Sequence, residues 1–330
     1  MKKSLIAAIA ILVLLAAVFF ATKSRRIGQS QKIDQTDAVK VRLKWLHQAQ
    51  FAGFYTANEK GFYKEKGIEA ILNPGGPDFP AVQMVASGSE DFGVTGADQI
   101  LLARDKGVPI VAIAVIYRES PFCYFSLKDS GVTRVQDFVG KKIGVKLGGN
   151  EELTYRAMMK KAGVDAKSVT EEPVKFDLTP LLEGRVLAWP GYSINEPIAV
   201  QEQGFEVNYI WPKDYGVSLY ADTLFTTEAM IRDRPELVQR FVTATMKGWN
   251  YAIAHQDEVV DFTLKQSEKL KKAHETAMMA ASIRHLKPDD KPLGSMEKSK
   301  WEELQKLLLE LNFLKKPVDI DTAFTVKFLE

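Results

Sequence analysis

The alternation of hydrophobic and polar residues predicts strands and helices that follow one another along most of the chain. Residues 39–45 alternate apolar and basic side chains, as expected for a half-buried strand, and residues 51–60 carry a helical apolar face. Residues 68–72 and 110–116 are apolar runs that predict two further strands, the second of them fully buried. A strand, a helix and another strand in this order predict an α/β fold with a parallel sheet.

The last third of the chain is predicted to be helical. Apolar residues recur at helical spacing after Pro235, over residues 273–285 and from Trp301 to Leu311. We interpret these stripes as surfaces that pack against a core rather than as binding sites for a partner.

Two segments place the end of a predicted strand next to the start of a predicted helix. Residues 91–94 run directly into Thr95-Gly96, and residues 186–189 run into a predicted turn at Pro190-Gly191 and then a helix capped by Asn195. Helix starts with free backbone N–H groups, close to the carboxyl ends of strands, form ligand sites in parallel α/β proteins. The two segments predict two similar lobes, each of which supplies one wall of a cleft.

Composition excludes several classes of function. The 330 residues are 46% hydrophobic and 26% charged, which is ordinary for a globular protein, and the net charge of +2 gives no indication of nucleic-acid binding. The single cysteine, Cys123, excludes an internal disulfide and a site with several cysteine ligands. The four histidines lack the spacing of a zinc site, so neither a metal nor another cofactor is predicted.

The amino-terminal segment predicts export across a membrane. Lys2 and Lys3 precede an apolar run over residues 5–21, which is the outline of a secretory signal. The run is longer than the usual signal core of about 7–15 residues and approaches the length of about 17–25 residues that spans a bilayer. Residues 1–38 are therefore interpreted as a cleaved signal or a retained membrane anchor, followed by a spacer. The protein is predicted to be periplasmic or otherwise extracytoplasmic.

The segment from Trp189 to Glu196 carries the first candidates for ligand contacts. Trp189 and Tyr192 offer two flat aromatic faces, while Asn195 and Glu196 offer an amide and a carboxylate. These groups suit a flat, polar, nitrogen-containing molecule, although a carboxylate in the first turn of a helix also stabilises the helix dipole. Other strand ends and loops supply the remaining candidates, with packing, solvation, a simple turn at Asn150 or a hinge role for Asp222 as the alternative interpretations: Trp45, Gln48, Phe51, Thr95, Gly96, Tyr117, Asn150 and Asp222. No catalytic residue is predicted.

Six short motifs in the same order resemble the solute-binding proteins of bacterial ABC importers in the thiamine-pyrimidine-synthesis-like family. They are Trp45 with residues 53–57, residues 60–63, residues 93–98, residues 137–145, residues 189–192 with 195–197, and residues 220–225. The resemblance implies a two-lobed periplasmic-binding-protein type II fold with a hinge and a central cleft that closes on the ligand. It implies a discontinuous first lobe, residues 39–122 with 222–330, and a second lobe over residues 123–221.

The resemblance also implies a binding protein rather than an enzyme, acting as a monomer with an ABC permease and its ATPase. Related pyrimidine synthases carry a cysteine-rich motif, whereas this chain has only Cys123. Both the synthases and the pyrimidine-precursor binders usually carry a histidine at the place of Phe51, and relatives often have aspartate at the place of Leu187. The two missing synthase features argue against synthase chemistry.

Three classes of ligand remain open within this family. A thiamine pyrimidine precursor comes first because Glu196 can accept a hydrogen bond from an amino group. Riboflavin or another flavin comes second, on the aromatic content of the predicted cleft and the absence of the loop histidine. A sulfonate or nitrate comes third because an oxyanion favours arginine, and only Arg118 follows a predicted strand end suitably.

Overall fold

Ten strands form three separate sheets in the computed structural model, which describes residues 36–329. The predicted signal or anchor over residues 5–21 lies outside the described residues. Within residues 36–329, no helix combines the length and the apolar composition that crossing a membrane requires. The strands are β1 Asp37–Arg42, β2 Ile68–Asn73, β3 Phe92–Thr95, β4 Ile110–Tyr117, β5 Phe122–Leu127, β6 Lys142–Val145, β7 Thr170–Pro173, β8 Trp189–Tyr192, β9 Val207–Ile210 and β10 Ala221–Thr227.

The largest sheet has the strand order β2-β1-β3-β10-β4. The predicted parallel pairing is present where β1 lies between β2 and β3. By contrast, β10 runs antiparallel to both β3 and β4, so the sheet is mixed. The chain leaves this sheet after Tyr117 and returns to it at Ala221, and this long excursion gives β10 its reversed direction.

Two smaller sheets are built from the segment between these points. One has the order β8-β5-β9 with antiparallel pairs, and the other pairs β6 with β7 in parallel. The predicted strand over residues 186–189 and the predicted turn at Pro190-Gly191 are both wrong, because Pro190 lies inside β8 opposite Tyr124. A proline is tolerated there because β8 is an edge strand, where no neighbour needs its missing N–H group.

Thirteen α-helices cover these sheets over the described part of the chain. They are α1 Ala52–Glu59, α2 Phe62–Glu65, α3 Ala81–Ala86, α4 Ala97–Asp105, α5 Gly149–Lys161, α6 Thr179–Leu182, α7 Glu196–Gln201, α8 Glu228–Asp233, α9 Pro235–Ala254, α10 Gln256–Leu264, α11 Lys272–Leu286, α12 Lys298–Glu310 and α13 Ile320–Ala323. Short 3-10 helices cover Ala49–Phe51, Lys128–Ser130, Val135–Phe138, Ala166–Ser168 and Pro212–Tyr215. The predicted helical last third is confirmed, and Pro235 begins α9.

The main core lies between the largest sheet and helices α1 and α9. Phe241 of α9 is fully buried, and its ring stacks on Tyr63 and Phe92 with centroid distances of 5.3 and 4.1 Å. The two helices can approach closely because Gly248 faces Gly53, where a Cβ atom would come within 2.3 Å of the Gly53 carbonyl oxygen. The apolar stripe of α9 therefore packs against the sheet, as predicted.

Replacing Phe241 by alanine is expected to lower the free energy of unfolding by about 3–5 kcal/mol, because the change removes a buried ring and leaves a cavity. Phe205→Ala is the matched control, since 40% of Phe205 is exposed. Its expected cost is below about 1 kcal/mol. Urea unfolding curves measure both values, and similar losses in the two variants would contradict the central position of Phe241.

Candidate ligand-binding cleft

Three loops that follow strands meet around one small cavity. The cavity is lined by residues after β1, after β6 and at the end of β8, as ligand sites at carboxyl ends of strands generally are. Its volume of about 40 Å³ has room for roughly three water molecules. The lining residues are Lys44, Trp45, Gln48, Gln50, Lys146, Glu151, Tyr192, Asn195 and Glu196. The structure thus brings together five predicted ligand contacts, namely Trp45, Gln48, Tyr192, Asn195 and Glu196.

Lys44, which the sequence pattern assigns to the polar face of a strand, forms part of the cavity wall. Its ammonium donates a hydrogen bond to the Tyr192 hydroxyl and lies 4.7 Å from the centre of the Tyr192 ring. It also lies 3.5 Å from Asp222 Oδ1. Burial alone lowers the pKa of Lys44. Tyr192, Asp222 and Glu151 outweigh burial and raise this pKa above the usual lysine range, so Lys44 is charged at neutral pH.

Asp222 of β10 is the buried partner of Lys44. Gln50 Nε2 donates to Asp222 Oδ2 at 2.6 Å, and the backbone φ of Asp222 is 44°, in the left-handed region. Burial raises the pKa of Asp222, and Lys44 and Gln50 reduce that rise. Asp222 was predicted as a ligand contact, and the structure places it next to Lys44 rather than in the cavity lining.

Glu196 has a partner for each carboxylate oxygen. Lys146 Nζ donates to Oε1 at 2.9 Å, and the Tyr192 backbone N–H donates to Oε2 at 2.8 Å. Burial alone lowers the pKa of Lys146, but Glu196 and Glu151 raise it above its usual range. Gly191 makes this arrangement possible, because a Cβ atom there would lie 2.9 Å from Glu196 Oε2. Glu196 was expected to be free to bind an amino group, and the structure shows it already engaged.

Glu151 is the carboxylate in the cavity that remains available. It lies in the first turn of α5 and is half-buried, and it makes no hydrogen bond or ion pair with any described residue. Its charge nonetheless raises the pKa of both Lys44 and Lys146, which places it close to the two ammonium groups. A ligand N–H group can therefore be accepted by Glu151 without breaking an existing bond.

Asn195 occupies the N-cap position of α7, but its side chain does not cap the helix. Instead Asn195 Oδ1 lies 3.0 Å from Nε2 of His274 in α11. The predicted capping bond is therefore wrong, because a side chain from a distant helix engages the same oxygen. This contact joins the wall formed by β8 and α7 to the carboxyl-terminal helices.

Gly96 and Asn150 meet beside the cleft rather than in its lining. Asn150 Nδ2 lies 3.4 Å from Oδ1 of Asp98, and Asn150 Oδ1 is buried without a hydrogen-bond partner in the described structure. Burial raises the pKa of Asp98, an effect that Gln99 and Lys44 oppose. Thr95, which precedes Gly96, lines a different cavity that shares only Lys44 with this one.

Three further predicted contacts lie in the core. Phe51 is fully buried in the main hydrophobic cluster, and Trp189 packs in the cluster that contains Cys123. The hydroxyl of Tyr117 lies 3.1 Å from Ser282 Oγ and 3.3 Å from the Gln50 carbonyl oxygen. For these residues the structure matches the packing alternative.

Sequence reasoning missed the three charged residues of the lining, Lys44, Lys146 and Glu151. A signal existed for Lys44, because it shares a predicted strand face with Arg42, and helices cover both faces of a parallel sheet. Arg42 is indeed buried against Glu90. Lys146 and Glu151 lie on either side of a glycine pair at a strand end, a position that already predicted the nearby Asn150.

The profile described as NMT1/THI5 like matches residues 48–259, which is more than half of the chain. The chain belongs to the NMT1/THI5-like family. This confirms the resemblance on which the predicted binding-protein class depends.

Several members of the NMT1/THI5-like family are similar along most of their length. The formylaminopyrimidine-binding protein of Halalkalibacterium halodurans is 27% identical over 320 residues, covering 94% of this chain and 96% of the relative. Riboflavin-binding protein RibY of Chloroflexus aurantiacus is 26% identical over 302 residues, covering 88% and 86%. A 4-amino-5-hydroxymethyl-2-methylpyrimidine phosphate synthase of Legionella pneumophila is 23% identical over 296 residues, covering 88% and 92%.

This chain has the same fold as a solved periplasmic binding protein. The periplasmic aliphatic sulphonate binding protein SsuA of Escherichia coli superposes with a TM-score of 0.67 at 17% identity, covering 88% of this chain and 92% of SsuA. The predicted α/β periplasmic-binding-protein fold is thereby confirmed.

Asp222→Asn is expected to lower the free energy of unfolding by about 2–3 kcal/mol, because it leaves the nearly buried ammonium of Lys44 without its carboxylate partner. Asparagine keeps the size of the side chain and tolerates the left-handed backbone. Asp321→Asn is the control, because its ion pair with Lys298 is exposed and worth at most about 1 kcal/mol. Equal urea midpoints for Asp222→Asn and the wild type would show that the buried pair does not contribute.

Proposed function

We propose that the protein is the extracytoplasmic solute-binding component of an ABC importer and that it binds a thiamine pyrimidine precursor. The observation that carries this proposal is the unengaged carboxylate of Glu151 in a cavity that also contains aromatic rings and two ammonium groups. The pyrimidine-binding and riboflavin-binding relatives support the same class of ligand.

The lining groups match the edge and the faces of an aminopyrimidine. Glu151 can accept a hydrogen bond from the exocyclic amino group, while the ammonium of Lys44 or Lys146 can donate to a ring nitrogen. Trp45 and Tyr192 supply apolar ring surface on which a flat heterocycle can stack. A pocket with ring surface and a few fixed polar groups is typical of sites for small organic ligands.

The balance of charge favours a neutral heterocycle over an oxyanion. Both lysines in the cavity already have a carboxylate partner, Asp222 for Lys44 and Glu196 for Lys146. Glu151 adds a further negative charge, which would repel a sulfonate or nitrate. Arg118, the arginine that the oxyanion alternative requires, is absent from the cavity lining and pairs with Asp289.

Riboflavin is the second candidate ligand, because RibY is about as similar to this chain as the formylaminopyrimidine-binding protein. A flavin offers an imide N–H group to Glu151 and a larger ring to Trp45 and Tyr192. Its three-ring system requires a wider opening of the cleft than a single pyrimidine ring does, which places it second.

The burial of the Cys123 thiol and of His47 supports binding rather than synthase chemistry. Burial raises the pKa of the Cys123 thiol well above its usual range, so this thiol is not a ready nucleophile. His47 Nδ1 lies 3.1 Å from the Tyr55 hydroxyl, and burial lowers the pKa of His47. We therefore assign the protein to the binding branch of the family, with the synthase relative as the alternative that an assay must address.

The proposed mechanism is closure of two lobes, residues 39–122 with 222–330 and residues 123–221, around the ligand. The path of the chain between the sheets supports these boundaries. Contacts between the segments, such as Trp45 with Phe176 at a centroid distance of 5.1 Å, would hold the closed form. The closed monomer would deliver its ligand to a permease and ATPase, and residues 5–21 would direct export or hold the protein at the membrane.

Glu151→Gln is expected to weaken the binding of 4-amino-5-hydroxymethyl-2-methylpyrimidine by about 10- to 100-fold, because a charge-assisted hydrogen bond to the amino group is lost. Isothermal titration calorimetry measures the dissociation constant. Glu152→Gln is the matched control, since Glu152 lies in the same turn of α5 but binds Arg156 and the Gly148 backbone N–H instead of lining the cavity. If both variants bind as the wild type does, Glu151 is not the ligand acceptor.

A further inference from the structure

A second cavity lies directly beyond Lys44. It has a volume of about 310 Å³ and lies between α3 and α4, with β3 beneath them. Its lining residues are Lys44, Pro80, Ala81, Val82, Gln83, Val94, Thr95, Gln99, Leu102, Ala103, Lys106 and Val108. Lys44 belongs to the lining of both cavities, so the two spaces adjoin at this residue.

The two cavities differ in volume, and volume limits the size of the ligand that each can hold. Sites for small organic molecules generally measure about 300–1,000 Å³, and the 40 Å³ cleft cavity falls far below this range. The second cavity reaches it alone, at about 310 Å³. Because both linings include Lys44, a substituent of a ligand in the cleft would pass beside this residue to reach the second cavity.

The second cavity combines an apolar base with unused polar groups. Val82, Val94 and Leu102 supply apolar surface. The Thr95 hydroxyl, the side-chain amide of Gln83 and the ammonium of Lys106 make no hydrogen bond or ion pair with any described residue. An aliphatic chain that carries hydroxyl groups matches this lining, because its carbon atoms contact the apolar base and its hydroxyls bond to the free donors and acceptors.

We propose that this second cavity is a subsite for a hydroxylated substituent of the bound heterocycle, with the ring in the cleft on the other side of Lys44. This inference rests on the proposed function, because it takes the ring to bind in the cleft. It predicts a preference for heterocycles that carry such a chain over the same rings without it.

The test compares two pairs of probes that share a ring, riboflavin with lumiflavin and cytidine with cytosine. In at least one pair, the chain-bearing member is expected to bind the wild type at least tenfold more tightly by calorimetry. Gln83→Trp fills the second cavity and is expected to abolish this preference while leaving the chainless probe unaffected. Ala86→Trp is the matched control, because it adds the same ring at another exposed position of α3 outside the cavity lining and should keep the preference.

Thr95→Val provides a second variant with almost no change in volume, and it is expected to reduce the preference several-fold through loss of one hydroxyl.

The subsite is contradicted if neither pair shows a preference, or if Gln83→Trp retains it. Binding of chainless aminopyrimidines without a preference would overturn the subsite and leave the proposed function standing. A chain-dependent preference for flavin without any pyrimidine binding would support the subsite and overturn the pyrimidine assignment.

Discussion

The charge of Lys44 is the constraint on which the cleft depends. An ammonium group that is mostly removed from water must be surrounded by acceptors or negative charge, because burying an unpaired charge costs several kcal/mol. The acceptors come from distant parts of the chain: the hydroxyl of Tyr192 from β8 and the carboxylate of Asp222 from β10. Compensating one charge thus fixes the distance between the end of β1 and two other strands, and the cavity forms where these three segments meet.

The need to neutralise buried ammonium groups also explains why the two carboxylates of the cleft, Glu196 and Glu151, have different roles. Glu196 neutralises Lys146 and holds the turn after β8 through the Tyr192 backbone N–H, so it stabilises the wall of the site. Glu151 approaches both ammonium groups without bonding to either, and it remains an acceptor for a ligand. A neutral heterocycle that offers an N–H group therefore fits better than an anion, which would have to displace the carboxylates from the lysines.

Much of the fold follows from local pattern, whereas the site depends on contacts that a single sequence does not reveal. The buried strand β4 and the helix that begins at Pro235 were predictable because period and composition decide them locally. The turn expected at Pro190-Gly191 is absent because β8 pairs with β5, and Pro190 lies opposite Tyr124, 66 residues earlier in the chain. The sequence does not distinguish Trp189 from Tyr192 as a ligand contact. The two residues lie on opposite faces of a short strand, and only Tyr192 faces the cleft. The alternating pattern likewise assigns Lys44 to a solvent-exposed face, whereas the fold places it in the wall of the cleft.

Native mass spectrometry of the protein purified from cells, with identification of the released ligand, tests the central claim most directly. Closure of the cleft around a neutral heterocycle predicts one bound nitrogen heterocycle per chain, which an excess of alkanesulfonate or nitrate does not displace. A chain that carries a sulfonate or another oxyanion, or that exchanges its heterocycle for one, would contradict the assignment of this cleft.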